Sequence, residues 1–200
     1  MVAFHRRQHY PHLRRSQSCD DESQTLARRR RSMNPAPLAP TLAAAEHDAD
    51  HRLVCLVFDS TPPLPAPQVN PWLVAVDPSD NALRAVRHAA TQAGAMNACA
   101  LHLVHVQPWL SREAAEAELA HRALAAAAQA IALLDAAGLP WRLHALLGDP
   151  AERIVERAVL LRATAVVVGS RGLGSIDGLL FGSVAYKVMH RCPLPVVVVP

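Results

Sequence analysis

The segment "TAVVVGSRGLGSIDGLLFGSVAYKVMHR", residues 164–191, joins an apolar run to a glycine-rich stretch and then to a helical pattern. Five of the chain's eight glycines lie between residues 169 and 183. Glycine loses the most backbone freedom on folding, so the cluster requires a turn with positive φ or a close approach of another group to the backbone. A strand before the glycines and a helix after them predict a loop that binds an anion such as phosphate through backbone N–H groups.

The same alternation of strand and helix extends over the chain from Pro71 to its end. Apolar runs of strand length predict five strands, each covered on both faces, and the stretches between them have helical spacing and caps. The predicted strands are "PWLVAVD" (71–77), "NACALHLVHV" (97–106), "WRLHALLG" (141–148), "TAVVVG" (164–169) and "LPVVVV" (194–199). This order indicates an α/β fold, with a five-stranded parallel, doubly wound sheet and helices on both faces.

Two polar features follow strands of this predicted sheet. Asp77 ends the first strand, and the glycine segment follows the fourth. If these strands are neighbours, a carboxylate suited to ribose hydroxyls and a glycine loop suited to phosphate, with Arg171 and Ser183, face one crevice. The glycine spacing matches neither GxxxxGK[ST] nor GxGxxG, and a plain flexible loop would also explain the glycines alone. The strand and helix around the loop favour a nucleotide site.

Residues 1–70 differ in composition from the rest of the chain. Arginine clusters in residues 1–33 and prolines further on predict a disordered, Arg/Pro-rich N-terminal extension and linker before a domain at residues 71–200. Met33 is an alternative start of the protein. The run "LVCLVFD", residues 53–59, has the composition of a short strand, but its position between proline-rich stretches argues against a place in the main sheet.

Charge and composition exclude several classes of function. Residues 1–33 carry eight Arg and three acids, a net of +5, and residues 34–200 carry twelve Lys and Arg and fourteen acids, a net of −2. The folded part is therefore not expected to bind nucleic acid. No apolar run reaches the roughly 18–20 residues of a membrane span, and the four cysteines form no CxxC pair. These observations predict a soluble, cytoplasmic protein without a membrane partner.

The chain offers no catalytic or metal-binding set of residues. No Ser/His/acid group can be assembled, and the crevice offers no carboxylate pair beyond Asp77 and Asp177. His102 and His105 lie on one strand with side chains on opposite faces, so they cannot share a metal ion. A magnesium ion held through the phosphates of a nucleotide is the more plausible cation, because Mg²⁺ takes few protein ligands. The sequence therefore favours a binding or sensing protein over an enzyme.

Several motifs together resemble one known family. Gly169-x2-Gly172-x9-Gly182-Ser183 is similar to the G-x2-G-x9-G-(S/T) signature of the universal stress proteins that bind ATP. The stretches "VAVDPSDNALRAVRHA", "LHLVHV" and "GDPAERIVERA" resemble the opening strand and helix, the second strand and the third strand–helix junction of that family. The resemblance covers about residues 71–200. It implies the strand order 3-2-1-4-5, in which the first and fourth predicted strands lie side by side.

The resemblance also implies a ligand, its contacts and an assembly. The ligand would be ATP with Mg, with Asp77 on the ribose and the backbone of Ala75 and Val106 on the adenine. The residues implied at the phosphates are Gly169, Arg171, Gly172, Gly182 and Ser183. A homodimer would form through the uncharged last strand, paired antiparallel with its own copy across a two-fold axis. The residues of that strand are Val196, Val197, Val198 and Val199.

These implications predict an ATP-binding stress-response sensor or regulator. Two alternatives remain open from the sequence. One is a stress-responsive module that binds protein partners and does not depend on nucleotide. The other is a slow nucleotide hydrolase.

Overall fold

A computed structural model describes residues 39–96, 99–172 and 181–200. The described residues form seven strands and four helices. The strands are β1 (Thr41–His47), β2 (Leu53–Asp59), β3 (Trp72–Ala75), β4 (Leu101–Gln107), β5 (Trp141–Leu147), β6 (Ala165–Gly169) and β7 (Val196–Val199). The helices are α1 (Asp80–Met96), α2 (Arg112–Ala136), α3 (Pro150–Leu160) and α4 (Ser183–Arg191). The disordered extension and linker were predicted for residues 1–70; residues 1–38 lie outside the described residues, whereas Thr41–His47 and Leu53–Asp59 form strands.

The five strands predicted from the sequence form the parallel part of one sheet. β3 pairs in parallel with β4 on one side and with β6 on the other. β4 pairs in parallel with β5, and β6 pairs in parallel with β7. Counted along the chain, these strands follow the order 3-2-1-4-5, as expected. The carboxyl ends of β3 and β6 are therefore neighbours.

The sheet has two further strands, so the prediction of five strands, all parallel, was wrong. The full order is β1-β2-β5-β4-β3-β6-β7. β1 and β2 form an antiparallel hairpin, called the N-terminal hairpin below (residues 41–59), and β2 pairs antiparallel with β5. The expectation that residues 53–59 lie outside the main sheet was also wrong. Six of the seven residues of β2 are buried. The described prolines that argued against it lie outside the strands of the hairpin, with Pro40 before β1 and the others in residues 62–71 after β2.

Helices cover both faces of the sheet, as predicted. Buried alanines and leucines of α1 and α2, including Ala89 and Leu119, pack on one face, and residues of α3 and α4, including Ile154 and Val188, pack on the other. Within the described residues no helix is both long enough and apolar enough to cross a membrane.

Arginine side chains attach the N-terminal hairpin to the rest of the sheet. Arg157 of α3 donates two hydrogen bonds to Glu46 of β1, at 3.0 and 2.7 Å. Arg142 of β5 makes the same forked contact with Asp59 of β2, at 2.6 and 2.8 Å. Arg112, the first residue of α2, donates to carbonyl oxygens in the turn of the hairpin. Paired charges of this geometry fix orientation as well as adding stability.

Candidate functional site

A cavity of about 530 Å³ opens at the carboxyl ends of β3, β4 and β6. Its described lining includes every residue that was predicted from the sequence for a nucleotide site. These residues are Ala75, Asp77, Val106, Gly169, Arg171, Gly172, Gly182 and Ser183. Residues more than 100 positions apart in the chain thus meet because parallel strands bring their carboxyl ends to one edge of the sheet.

Asp77 lies in the turn between β3 and α1, where two bonds fix its carboxylate. Oδ1 accepts the backbone N–H of Ser79 at 2.9 Å and also the Ser79 hydroxyl. The same hydroxyl oxygen accepts the N–H of Ala82 at 3.2 Å, so Ser79 caps the first turn of α1. The cap holds the carboxylate at the edge of the cavity.

Gly172 lies directly beside this carboxylate. A Cβ atom on Gly172 would lie 2.8 Å from Oδ2 of Asp77, closer than real Cβ contacts. A side chain at this position would therefore displace either the Asp77 carboxylate or the backbone of Gly172. Gly172, the last described residue before the middle of the predicted phosphate loop, thus lies next to the acid predicted for the ribose, although the two follow separate strands.

The start of α4 forms a second wall of the cavity. Gly182 is the N-cap, and its own N–H donates to the carbonyl oxygen of Ser170 at 2.8 Å. Ser183 is the first helical residue and is exposed, which agrees with its predicted position at or next to the cap. Among the described residues no side chain caps this helix. Because Gly182 and Ser183 line the cavity, the first N–H groups of the helix and the positive end of its dipole lie at the cavity.

The structure explains the glycine at position 169 by a contact that the sequence analysis did not predict. A Cβ atom there would lie 2.7 Å from the carbonyl carbon of Asn81 and 2.9 Å from the backbone nitrogen of Ala82. The end of β6 therefore packs directly on the first turn of α1. This packing explains the glycine without a ligand, and a phosphate contact for Gly169 remains a prediction.

The cavity combines apolar walls with one charge of each sign. In the described lining, Asp77 and Arg171 are the only charged residues. Apolar side chains from both sides of the sheet ends make up much of the remainder, among them Val104, Val106, Ile154 and Val168. Such a site suits a ligand with a flat apolar part and a polar, anionic part.

Just outside this lining, Asp149 and Lys187 connect the helices that flank the cavity. Asp149 caps α3 by accepting the N–H of Glu152 at 3.0 Å, and Lys187 of α4 lies 3.3 Å from its carboxylate. The hydrogen bond from Glu152 and the neighbouring Lys187 lower the pKa of Asp149. This exposed pair helps to set α4 against α3, although an exposed ion pair contributes little stability.

His105 lies in the cavity lining, whereas the sequence analysis discussed it only as a possible metal ligand. Its Nδ1 lies 3.1 Å from the carbonyl oxygen of Val76, the residue before Asp77. A carbonyl can only accept, so Nδ1 carries the proton and donates. The alternation of side chains along β4 could have placed His105 near this edge, but its partner depends on where β3 ends.

His102 has different partners, in keeping with the prediction that it and His105 point to opposite faces. One ring nitrogen lies 2.9 Å from Nε2 of His144, and the other lies 2.9 Å from the side-chain oxygen of Gln68. Burial lowers the pKa of His102 to about 4 and the pKa of His144 well below its usual value. Across the described residues, no group of three or more His, Cys, Asp or Glu side chains could hold a metal ion.

Comparison with known sequences identifies the family. The sequence model of the universal stress protein family matches residues 70–200. One relative, the universal stress protein in the QAH/OAS sulfhydrylase 3' region of Thermus aquaticus, is 39% identical over 136 residues. The aligned region covers 64% of this chain and 96% of that relative.

Solved structures agree with the sequence comparison. The universal stress protein from Archaeoglobus fulgidus in complex with dAMP is similar at a TM-score of 0.54 and 29% identity, over 66% of this chain and 98% of that one. A universal stress protein in complex with cAMP is similar at a TM-score of 0.53 and 30% identity, over 66% and 97% of the two chains. With the family match spanning well over half of its length, the chain belongs to the universal stress protein family.

Proposed function

We propose that the cavity binds ATP with Mg and that the protein is a nucleotide-dependent sensor or regulator of the stress response. One observation carries the proposal: Asp77 and the described glycines of the segment, Gly169, Gly172 and Gly182, line one cavity at the start of α4. Relatives in complex with dAMP and cAMP support an adenine nucleotide as the ligand. The triphosphate and its Mg extend beyond those two complexes and are part of the proposal.

Each part of the nucleotide has a region of the cavity that suits it. The apolar walls and the backbone of Ala75 and Val106 suit adenine, and the fixed carboxylate of Asp77 suits a ribose hydroxyl. The phosphates would lie at the backbone of the glycine segment and the start of α4, with the hydroxyl of Ser183 and the charge of Arg171. Magnesium would be held through the phosphates, keeping most of its waters.

We propose binding as the activity, with slow hydrolysis as the alternative. In the described lining the one carboxylate is that of Asp77, whose Oδ1 already accepts two hydrogen bonds from Ser79. That engagement directs Oδ1 at Ser79 and not at a water molecule in the cavity. Phosphate release from ATP above the background rate over several hours would favour the hydrolase instead.

The experiment compares two glycine-to-alanine variants by isothermal titration with MgATP. Gly172→Ala should weaken binding at least about tenfold, because the new Cβ collides with the Asp77 carboxylate and moves the loop off the phosphate position. Gly94→Ala in α1 is the matched control, since a Cβ there meets nothing within 4 Å. This control should bind ATP as the wild type does.

Two results would contradict the proposal. Absence of heat from the wild-type protein at ATP concentrations up to about 1 mM, a binding free energy near −4 kcal/mol, would exclude a useful nucleotide site. Equal ATP affinity in the two variants would show that the glycine segment is not part of the site. A regulator that acts through protein partners alone would be favoured by either result if Gly172→Ala retains its cellular function.

The proposal includes a homodimer and a cytoplasmic location. β7 lies at one end of the strand order, with β6 as its neighbour within the described sheet, and its four residues are half-buried valines. A second copy of the same strand would cover this edge. The three described cysteines, Cys55, Cys99 and Cys192, are free, which is compatible with a reducing compartment.

A further inference from the structure

The ladder between β3 and β4 ends at the base of the cavity. The last paired residues are Ala75 and Val104, and the last backbone bond runs from Val76 N–H to the carbonyl oxygen of Val104, at 2.9 Å. In a parallel pair, alternate residues of one strand direct both backbone groups to the same neighbour. Val106 lies two residues after Val104, so its N–H and C=O are directed toward the side where β3 has ended.

The next bond of this ladder would join Val106 N–H to the carbonyl oxygen of Val76. In the described part of the chain this backbone bond is not formed. The Val76 carbonyl instead accepts the Nδ1–H of His105 at 3.1 Å. His105 and Val76 are both buried, at 9% and 5% exposure, so this bond satisfies a carbonyl that has little access to water.

Val106 is half-buried and lines the cavity. With the ladder stopped before it, its N–H is a donor and its C=O an acceptor on the same edge. This donor and acceptor can bind a flat heterocycle in which a ring nitrogen accepts the N–H and a neighbouring amino group donates to the C=O. Adenine carries this combination at N1 and the 6-amino group.

We infer that His105 is a positioning residue for the base: by holding the Val76 carbonyl oxygen toward its own Nδ1–H, its imidazole keeps the backbone of Val106 open to hydrogen-bond an adenine edge. The inference rests on the proposed nucleotide site and adds the residue that keeps the backbone N–H and C=O of Val106 available to the base. His105 itself needs no contact with the ligand.

The first test uses the protein without nucleotide. Amide hydrogen exchange is followed by NMR at Val106, with Val104 as the internal standard, because Val104 lies inside the ladder. In the wild type the Val106 amide should exchange faster than the Val104 amide. In His105→Phe nothing holds the Val76 carbonyl toward residue 105, so the carbonyl can turn to the Val106 N–H, and exchange of the Val106 amide should slow by roughly tenfold, the equivalent of one gained hydrogen bond.

The second test measures the affinity for MgATP and for tripolyphosphate, which has no base. His105→Phe should weaken ATP binding by roughly tenfold and leave tripolyphosphate binding unchanged. His105→Asn should restore ATP affinity to within about twofold of wild type, because the amide nitrogen of Asn occupies about the place of Nδ1 and can donate to Val76.

The outcomes separate this inference from the proposed function. Equal losses for ATP and tripolyphosphate in both variants would mean that His105 only stabilises the fold, and the inference would be overturned. Fast exchange of Val106 in His105→Phe would overturn it as well, whatever the affinities. Wild-type protein that binds neither compound would remove the proposed function, whereas wild-type binding of ATP with no effect of His105→Phe would remove only the inference.

Discussion

At the scale of single residues, His102 and His144 form a buried polar chain inside the sheet. The side-chain oxygen of Gln68 can only accept, so His102 donates to it from Nε2. Nδ1 of His102 then accepts the Nε2–H of His144. Nδ1 of His144 is left as a buried acceptor with no hydrogen-bond partner in the described residues. This arrangement requires both rings to be neutral.

The pair predicts that acid destabilises the protein. Burial holds the pKa of His102 at about 4 in the folded state, against 6.5 in an unfolded chain. The stability is therefore fully present above pH 6.5 and is lost as the pH falls from 6.5 toward 4, because the unfolded state binds the proton first. His102 alone should account for about 3 kcal/mol of this loss. Urea unfolding at pH 7.5 and pH 4.5 measures it.

A matched pair of variants tests the assignment. His144→Gln retains a donor to His102 and removes one titrating ring, so its stability should depend less on pH. His121→Gln changes an exposed histidine of α2 and should leave the pH dependence as in the wild type. If all three proteins lose the same stability between the two pH values, the buried pair is not the source.

Residue-level features were predictable where strand ends alone decide them. Asp77 and Gly172 could be placed in one cavity because each follows a parallel strand, and such strands end at one edge. The packing of Gly169 on α1 and the bond from His105 to Val76 could not be predicted. Both depend on the distance between backbones of separate elements, which the spacing of residues along the chain does not contain.

At the scale of elements, Arg157 anchors the N-terminal hairpin to α3. Its side chain is 8% exposed, whereas that of Glu46 is 41% exposed. The hydrogen bonds from Arg157 lower the pKa of Glu46. Removal of the carboxylate would leave a guanidinium buried without its partner, which is far less favourable than losing an exposed pair.

Glu46→Ala should therefore lower the free energy of unfolding by about 1–3 kcal/mol, the penalty of an unpaired charge that is partly relieved by solvent at the Glu46 side. Glu118→Ala is the matched control, because Glu118 and Arg122 form an exposed pair one turn apart on α2. That variant should change stability by less than about 0.5 kcal/mol. Similar losses in the two variants, measured by urea unfolding, would show that the hairpin is not anchored through Arg157.

The hairpin was the part of the fold least accessible from sequence. The apolar run of β2 predicts a strand. Its neighbour β5 lies far along the chain, and the sequence of residues 53–59 does not indicate which strand it pairs with. β1 reads "TLAAAEH", and alanine is depleted in strands, so pattern alone does not indicate one. In contrast, the parallel strands were predictable because each alternates with a helix along the chain.

At the scale of the whole molecule, the sheet ends in β1 on one side and β7 on the other. The register of β7 determines which of its backbone groups are directed outward. Val166 N–H donates to Pro195, and Ser170 N–H donates to Val199, so the bonds to β6 use the odd-numbered residues of β7. Val196 and Val198 therefore direct their N–H and C=O groups to the open edge.

This geometry gives a test of the proposed homodimer. Val198→Pro removes one outward N–H and leaves every ladder bond to β6 intact, so it should shift the mass measured by light scattering toward the monomer. Val69→Pro, at an exposed loop residue, is a control for the general effect of an added proline. A Val198→Pro protein that remains a dimer of wild-type stability would place the interface elsewhere.

The hairpin also bears on how the chain folds during synthesis. Asp59 and Arg142, which join β2 to β5, are 83 positions apart. At roughly 5–20 residues per second, a ribosome needs roughly 4–17 seconds to cover that separation. Through that interval β2 lacks β5, the strand that pairs with one of its edges, so that edge stays unpaired. The N-terminal hairpin is therefore a segment that needs protection from aggregation while the chain is still being synthesised.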